Sequence, residues 1–388
     1  MKRETMTSRE RMLTALDHRT PDRFPIDLGG NQTGIHKNAY LRLVKHLGIK
    51  DELKIYDAVQ QLAEPCEALL ERFHVDTRYV SAKSPDSWKG GIVSAQRDGR
   101  SWHDLTDEFG VRWSMPDDSP LYMDITHHPL AEATIKDVAG YAWPKGDDPS
   151  RFAGLRERAQ RIRKETPYAV VSRISGVVYE YCWYMRGLEQ WFCDLMTEPE
   201  FCEAMLDQSL KFWTDWFRLF LDEAGDLVDV IMIGDDIGGQ SAPLFNPEIY
   251  RSLVKPRQKK LVQYIRSRTK AKVWYHTCGA VKGYIPDLID NGVQILNPVQ
   301  LSATGMDPVE LKQKFGSTMT FWGGGCDAQN ILSRTTPDRV AENVRANVTE
   351  LKKGGGYVFN NCHNIQGEVP AENIVAMYDT AYECSFYG

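Results

Sequence analysis

The chain has 388 residues, of which 42% are hydrophobic and 26% are charged, and its formal net charge is −6 at pH 7. These proportions are those of a globular protein with room for one large domain or two ordinary ones. The acidic balance and the lack of a long Lys/Arg run argue against nucleic-acid binding. No segment approaches the roughly 18 consecutive apolar residues of a membrane span, and the polar amphipathic start is unlike a signal core. We therefore expect a cytoplasmic protein.

The predicted elements begin with a helix whose capping box is Thr7–Glu10, and Pro21 ends that helix. An apolar run at Phe24–Leu28 predicts a strand, and helical patterns follow over 37–47 and 57–73. A second strand is predicted at Arg78–Ala82. Residues 88–145 are rich in Trp, Gly, Asp and Pro with short alternating stretches, which predicts a hairpin insertion rather than a second domain.

From residue 168 onward, short apolar strands alternate with helical patterns. The six predicted strands are Tyr168–Ser172, Asp229–Ile233, Lys272–His276, Gln294–Asn297, Met319–Trp322 and Tyr357–Asn360. With the two earlier runs the count is eight, and alternation with helices implies parallel pairing. The chain is therefore predicted to form a single α/β domain, a (β/α)₈ TIM barrel, over residues 1–388. An open doubly wound sheet is the alternative.

The active site of such a barrel lies at the carboxyl ends of its strands. Residues with metal-binding or acid–base side chains follow the predicted strands in this chain. They are Asp27, Ser175, Asp235, Asp236, His276, Cys278, Cys326, Asp327, Cys362 and His363. We expect these side chains to surround one mouth of the barrel.

The pair His276 and Cys278 is the most specific of these features, because residues i and i+2 of an extended chain point to the same side. Imidazole and thiolate together favour Zn²⁺. Cys326 and Cys362 compete as the third ligand. His363 neighbours Cys362, so it is expected to point away from it and to contact the substrate or support the ligands. The alternative is a buried histidine beside inert thiols.

Four other cysteines fall in helical patterns and are expected to be small apolar fillers: Cys66, Cys182, Cys193 and Cys202. Asp235 and Asp236 are candidates for acid–base chemistry or ligand binding, or else they cap a helix. Amide side chains near the last strand suit a polar substrate or a cofactor edge. These candidates are Asn361, Asn364 and Gln366.

Several segments also carry a resemblance to a known family. They are Ser8–Pro25, Arg186–Glu189, Tyr275–Gly279, Phe321–Gly325, His363–Gln366 and Pro370–Ile374. Across nearly its whole length the chain resembles the uroporphyrinogen decarboxylase superfamily, and within it the branch of corrinoid-dependent methyltransferases. The resemblance implies a TIM barrel.

Two branches of that superfamily differ in features that the sequence displays. The porphyrin decarboxylases carry an arginine-rich segment after the first strand, whereas here no arginine follows Asp27 until Arg42. The methyltransferase branch binds zinc through a His-x-Cys pair and a later cysteine. The resemblance therefore implies His276, Cys278 and, by its position near the last strand, Cys362, with Cys326 as an extra thiol.

The function implied is a zinc-dependent methyltransferase that moves a methyl group between a small substrate and a corrinoid on a partner protein. Methyl ethers (O-demethylation), methanol, methylamines, thiols and tetrahydrofolate all remain open as donor or acceptor. Asp235 and Asp236 would orient the substrate or deliver protons. A decarboxylase of the uroporphyrinogen type and a non-catalytic corrinoid or metal carrier are the alternatives.

Overall fold

A computed structural model describes residues 4–118, 121–173 and 177–387 of the chain. Its centre is a curled sheet of seven parallel strands in which each strand pairs with the next one along the chain. These strands are β1 (Thr77–Val80), β2 (Ala169–Ser172), β3 (Val230–Gly234), β4 (Lys272–His276), β5 (Ile295–Asn297), β6 (Thr320–Trp322) and β7 (Tyr357–Val358). Apolar residues fill nearly all of these strands because helices and the barrel interior bury both faces.

The segment Phe24–Leu28, which was predicted as the first strand, closes the ring formed by the seven strands. The Asp27 N–H donates to the Phe359 carbonyl at 2.9 Å, on the β7 side. On the other side, the Asp76 N–H donates to the Ile26 carbonyl at 2.8 Å, next to β1. The chain around Ile26 therefore lies between the two edges of the sheet. The predicted TIM-barrel architecture is confirmed.

Helices surround the barrel, and all except the three-residue Pro247–Ile249 bury at least one side chain. They are Ser8–Leu16, Lys37–His46, Glu67–Arg72, Ile135–Gly140, Leu155–Glu165, Glu180–Arg186, Leu188–Thr197, Pro199–Ala224, Pro247–Ile249, Lys255–Arg268, Ile285–Asn291, Pro308–Phe315, Pro337–Leu351 and Ala371–Ser385. The capping box at Thr7–Glu10 forms as predicted. No helix in the described ranges is both long and apolar enough to cross a membrane.

The helix predicted over 57–73 is wrong in its first half. That stretch contains the end of the strand Ile55–Asp57 and the strand Leu62–Ala63, and its helix covers only Glu67–Arg72. Two local features explain the break. The Asp57 carboxylate accepts the Gln60 N–H at 2.9 Å and stabilises a turn, and Pro65 disfavours helix in the residue before it.

The predicted hairpin insertion forms a four-stranded antiparallel sheet. Its strands are Val93–Arg97, Arg100–Thr106, Arg112–Pro116 and Asp124–His127. Aromatic contacts attach this sheet to the helix Glu180–Arg186: Trp113 meets Tyr184 edge-on, with ring centroids 5.2 Å apart. The insertion therefore packs beside the helix Glu180–Arg186, which follows β2 in the chain.

The barrel interior is filled by side chains from alternate positions of the strands. Trp274 and Trp322 stack there with ring centroids 4.7 Å apart, and Met12 from the first helix joins the same apolar cluster. Side chains two residues further along a strand face the same way. His276 follows Trp274 by two positions and so points inward at the carboxyl end of the barrel.

A buried ion network ties the first helix to the barrel. Arg11 Nη1 lies 2.6 Å from Asp76 Oδ1, and Arg23 Nη1 lies 2.8 Å from Asp76 Oδ2. The same Oδ2 accepts the Ile26 N–H at 2.8 Å. Asp76 is fully buried, so the positive charges of Arg11 and Arg23 compensate for the lost hydration of its carboxylate.

Replacing Asp76 by Asn should lower the free energy of unfolding by about 3–5 kcal/mol, because Arg11 and Arg23 lose the one fully buried carboxylate that they share and keep only Asp22 and Glu4 as counter-charges. Urea denaturation followed by circular dichroism measures this change. The control is Asp379→Asn, whose partner is Arg72 and whose side chain is 40% exposed; that variant should lose less than about 1 kcal/mol. Equal losses in the two variants would contradict the role of the buried network.

Candidate metal centre

Two glycines allow the loops after β3 and β4 to approach each other. Gly234 pairs with His276 across the two strands, and a Cβ atom on Gly234 would lie 2.7 Å from the His276 Cβ. Gly279 has a φ of +90°, and its Cβ would lie 2.5 Å from the Gly239 carbonyl oxygen. Side chains at either position would push the loops apart. The glycines therefore keep His276 and Cys278 close to the residues that follow β3.

Hydrogen bonds fix the orientation and tautomer of His276. Asn297 Nδ2 donates to the Trp322 carbonyl at 2.9 Å, so Asn297 Oδ1 is the atom that faces His276 Nδ1, at 2.6 Å. Because Oδ1 can only accept, Nδ1 must carry the proton. The unprotonated Nε2 then faces the mouth, and its lone pair is directed toward the Cys278 thiol. Burial also lowers the pKa of His276 to about 4, so the ring is neutral near pH 7.

Cys278 lies on the same side of the chain as His276, as their i, i+2 spacing predicts. Its Sγ is 3.7 Å from His276 Nε2. The Cys278 N–H donates to Asp236 Oδ1 at 2.8 Å, and the Gly279 N–H donates to Gln300 Oε1 at 2.9 Å. These bonds hold the loop that carries the thiol. Burial and the charge of Asp236 raise the pKa of Cys278, so a metal that binds there must displace its proton.

His363 completes the group. Its ring centroid lies 5.2 Å from that of His276, at an interplanar angle of 68°. The ligand atoms of His276, Cys278 and His363 all lie within 4.8 Å of one another. A tetrahedral zinc ion with bonds of about 2.0–2.3 Å keeps its ligand atoms roughly 3.5 Å apart, so small side-chain rotations suffice to bind one. Two imidazoles and a thiol are donors that suit zinc.

Cys326 and Cys362 lie outside that group, although both follow barrel strands as predicted. Cys362 is buried, burial raises its pKa to about 12, and its charge contributes to the raised pKa of Cys278. Cys326 is buried as well, and its Sγ contacts the Asp327 carbonyl at 3.9 Å. The structure thus places His363 beside His276 and Cys278, whereas the sequence favoured Cys326 or Cys362 as the third ligand.

The side chains of Asp235 and Asp236 point in different directions and contact different groups. Asp235 is buried and accepts backbone N–H groups of the segment before the helix Glu180–Arg186, including that of Tyr179 at 2.8 Å, as well as the Gln258 amide at 3.0 Å. Asp236 faces the metal-type ligands, with Oδ1 3.8 Å from His276 Nε2. Only the second aspartate therefore contacts the group directly. Ser175, also expected at this mouth, lies outside the described residues.

Glu180 is a site residue that the sequence did not reveal. Its Oε1 accepts the Asp236 N–H at 3.3 Å, and its side chain is buried. Burial and the charge of Asp236 raise the pKa of Glu180 well above its usual range. The available signal was its place shortly after β2, but the aromatic residues around it made the segment look like helix packing.

The predicted amide residues are Asn361, Asn364 and Gln366. Two of them hydrogen-bond within the protein and also line an open groove. Asn364 Oδ1 accepts the Gly34 N–H at 2.7 Å, and Gln366 Nε2 donates to the Tyr122 hydroxyl at 2.9 Å. Asn361 is buried, and neither polar atom of its side chain has a partner within the described ranges. Asn364 and Gln366 nevertheless line, with His363, a groove of about 850 Å³. Of the metal-type ligands, His363 therefore borders a groove large enough for a small molecule.

Comparisons with known proteins agree with this geometry. The family model for uroporphyrinogen decarboxylase (URO-D) matches residues 105–384, which is more than half of the chain. The chain belongs to the uroporphyrinogen decarboxylase family. The comparison with curated proteins found no match.

Solved structures also resemble this member of the URO-D family. A methyltransferase from Methanosarcina mazei shares 17% identity, with 98% of this chain and 99% of that one covered and a TM-score of 0.61. This likeness establishes a shared fold. A GH113 β-1,4-mannanase shares 10% identity over 92% of this chain and 98% of its own, with a TM-score of 0.40.

Replacing Asn297 by Leu should weaken zinc binding about 10- to 100-fold, because His276 loses the acceptor that holds its tautomer and orientation. Competition against a chromophoric chelator measures the affinity. Asn347→Leu is the matched control: its amide contacts Asn343 on an outer helix, and its zinc affinity should stay at the wild-type value. An unchanged affinity in the Asn297 variant would show that His276 does not depend on this bond.

Proposed function

We propose that this protein is a zinc-dependent methyltransferase that moves a methyl group between a small substrate and a corrinoid bound to a partner protein. The observation that carries the proposal is the convergence of His276, Cys278 and His363 at the mouth of the barrel. Membership of the URO-D family and the fold shared with the methyltransferase from Methanosarcina mazei support it. The earlier sequence resemblance points to the same branch.

The residues of the mouth would have distinct roles in such a reaction. His276 and Cys278 bind the zinc, which supplies Lewis-acid activation of a substrate heteroatom. Asp236 uses Oδ1 to hold the Cys278 N–H, and no donor from the described residues reaches its Oδ2. That oxygen is available to take the proton of a thiol or hydroxyl substrate, or to return it. Asp235 acts indirectly, by anchoring the segment that leads to Glu180.

The corrinoid would come from a partner, because the sequence contains no Asp-x-His-x-x-Gly signature for holding cobalamin. The groove beside His363 is lined by Asn364 and Gln366, whose amide NH2 groups are held by Gln60 and Tyr122 in the structure, so a polar ligand would have to exchange with these bonds to use them. Candidate methyl donors and acceptors remain methyl ethers, methanol, methylamines, thiols and tetrahydrofolate.

Decarboxylation of a polycarboxylated tetrapyrrole fits the arginines less well. Arg42 donates to the backbone carbonyl of Val369 at 3.2 Å, and so it is held beside the segment that precedes the last helix. Arg173, which follows β2, pairs with Glu64 at 2.9 Å and stacks over Tyr56 at 3.7 Å. Both guanidinium groups are engaged within the protein, whereas many substrate carboxylates need free cationic partners.

Metal analysis and a cobalamin assay test the proposal together. Protein purified without added metal should contain zinc, and cob(I)alamin should be converted to methylcobalamin, seen by absorbance, with one of the candidate methyl donors. Cys278→Ser should lose bound zinc and at least about 100-fold in rate, because the metal loses a thiolate ligand. Cys193→Ser, at an exposed cysteine, should match the wild type.

Two outcomes would replace the proposal with another function. A folded, metal-free protein that releases CO₂ from a tetrapyrrole acid and ignores chelators would be a decarboxylase. Stoichiometric corrinoid binding without turnover on any donor or thiol would identify a carrier.

A further inference from the structure

The three side chains of the metal group are held with unequal firmness. His276 is only 5% exposed, and Asn297 locks its ring through Nδ1. Cys278 is fixed through its backbone N–H by Asp236. The His276 ring therefore cannot leave the site without breaking a buried hydrogen bond, and the backbone that carries the Cys278 thiol is held in place.

His363 differs from both. No hydrogen bond to its imidazole occurs among the residues that the structure describes, and its ring packs edge-to-face on His276. It is partly exposed. Of the three ligands, it alone lines the 850 Å³ groove, together with Gln240 and Gln329. Its ring therefore stands between the metal position and the space through which a small molecule enters.

We propose that His363 is an exchangeable metal ligand, which closes the coordination sphere at rest and is displaced into the groove when a substrate heteroatom binds. This inference rests on the proposed function, because it takes the group to be a catalytic metal centre. It adds a role for a residue that the sequence placed near the substrate.

The physical reasons concern which ligand is easiest to displace. A catalytic zinc site needs a position that a substrate can occupy. Cys362 lies outside the group of three, but it is buried and precedes His363 directly in the chain; once its thiol turns toward the metal, the site has four ligands and His363 fills that position. A neutral imidazole separates from a cation more easily than a thiolate does, and His363 breaks no other hydrogen bond when it rotates away. The exchange is dative: the imidazole leaves with its own lone pair while the substrate donates one, so no electrons are transferred.

Cobalt substitution provides the test, since Co²⁺ takes the place of zinc and its absorption reports the number and kind of ligands. The probes are 2-mercaptoethanol, as a thiol, and imidazole. In the wild type, the thiol should add sulfur-to-metal charge-transfer absorption without releasing cobalt. His363→Ala should retain cobalt, show the visible spectrum of a site with one ligand fewer, and bind the thiol about tenfold more tightly, because no internal ligand competes. Added imidazole should restore the wild-type spectrum.

His46→Ala is the matched control, because His46 lies on the protein surface and pairs with Glu372 at 3.5 Å. Its spectrum and thiol affinity should equal those of the wild type. His363→Gln serves as a second variant if the alanine variant does not fold, and it should behave in the same way.

The outcomes separate the inference from the proposed function. If the wild type binds neither cobalt nor zinc, both fail. If it binds metal but the His363 variants keep the wild-type spectrum and thiol affinity, or do not respond to imidazole, then His363 is not a ligand and only this inference is overturned. Loss of metal from both His363 variants would also overturn it, since an exchangeable ligand is not required for retention.

Discussion

The hydrogen-bond chain from His276 through Asn297 to the Trp322 carbonyl is the constraint on which the chemistry of this molecule depends. It links the ends of three neighbouring strands and settles which imidazole nitrogen is free. Because an amide has distinct donor and acceptor ends, the contact to Trp322 leaves only the acceptor for His276. A backbone carbonyl of one strand thus determines the protonation of a side chain two strands away. The remaining groups at the mouth are arranged around a ring whose direction is already fixed.

The two adjacent aspartates show how a single sequence feature can serve two purposes. Asp235 faces the backbone and caps the segment before the helix Glu180–Arg186, whereas Asp236 faces the ligands. Neighbouring residues of an extended chain point to opposite sides, which is why one supports the scaffold and the other meets the substrate space. Glu180 joins the site because Asp235 holds the start of its helix. Both aspartates were expected to orient the substrate or deliver protons, and Asp235 thereby places a third acidic group, Glu180, beside Asp236.

Periodicity predicted the fold well because parallel strands that are buried on both faces are continuous apolar runs, and those runs mark β2 to β7 without ambiguity. It failed over 57–73, where Pro65 and the turn at Asp57 interrupt a helix-like pattern. The site was predictable where local spacing decided it, as for His276 and Cys278. The place of His363 was not, because the strand β7 ends before it and alternation no longer controls its direction. Glu180 escaped notice for a related reason: its approach to Asp236 depends on the contact of two loops.

The closure of the barrel by the chain around Ile26 joins residues that are more than 300 positions apart, with Phe359, directly after β7, as the partner. Contacts between such distant positions carry a high entropic cost of loop closure. We therefore expect this seam to be among the last parts of the barrel to form during folding. His363 comes four residues after Phe359, on the segment that the seam holds in place. A metal bound by His276, Cys278 and His363 would consequently fasten the final strand to the middle of the chain, and metal occupancy would report whether the ring has closed.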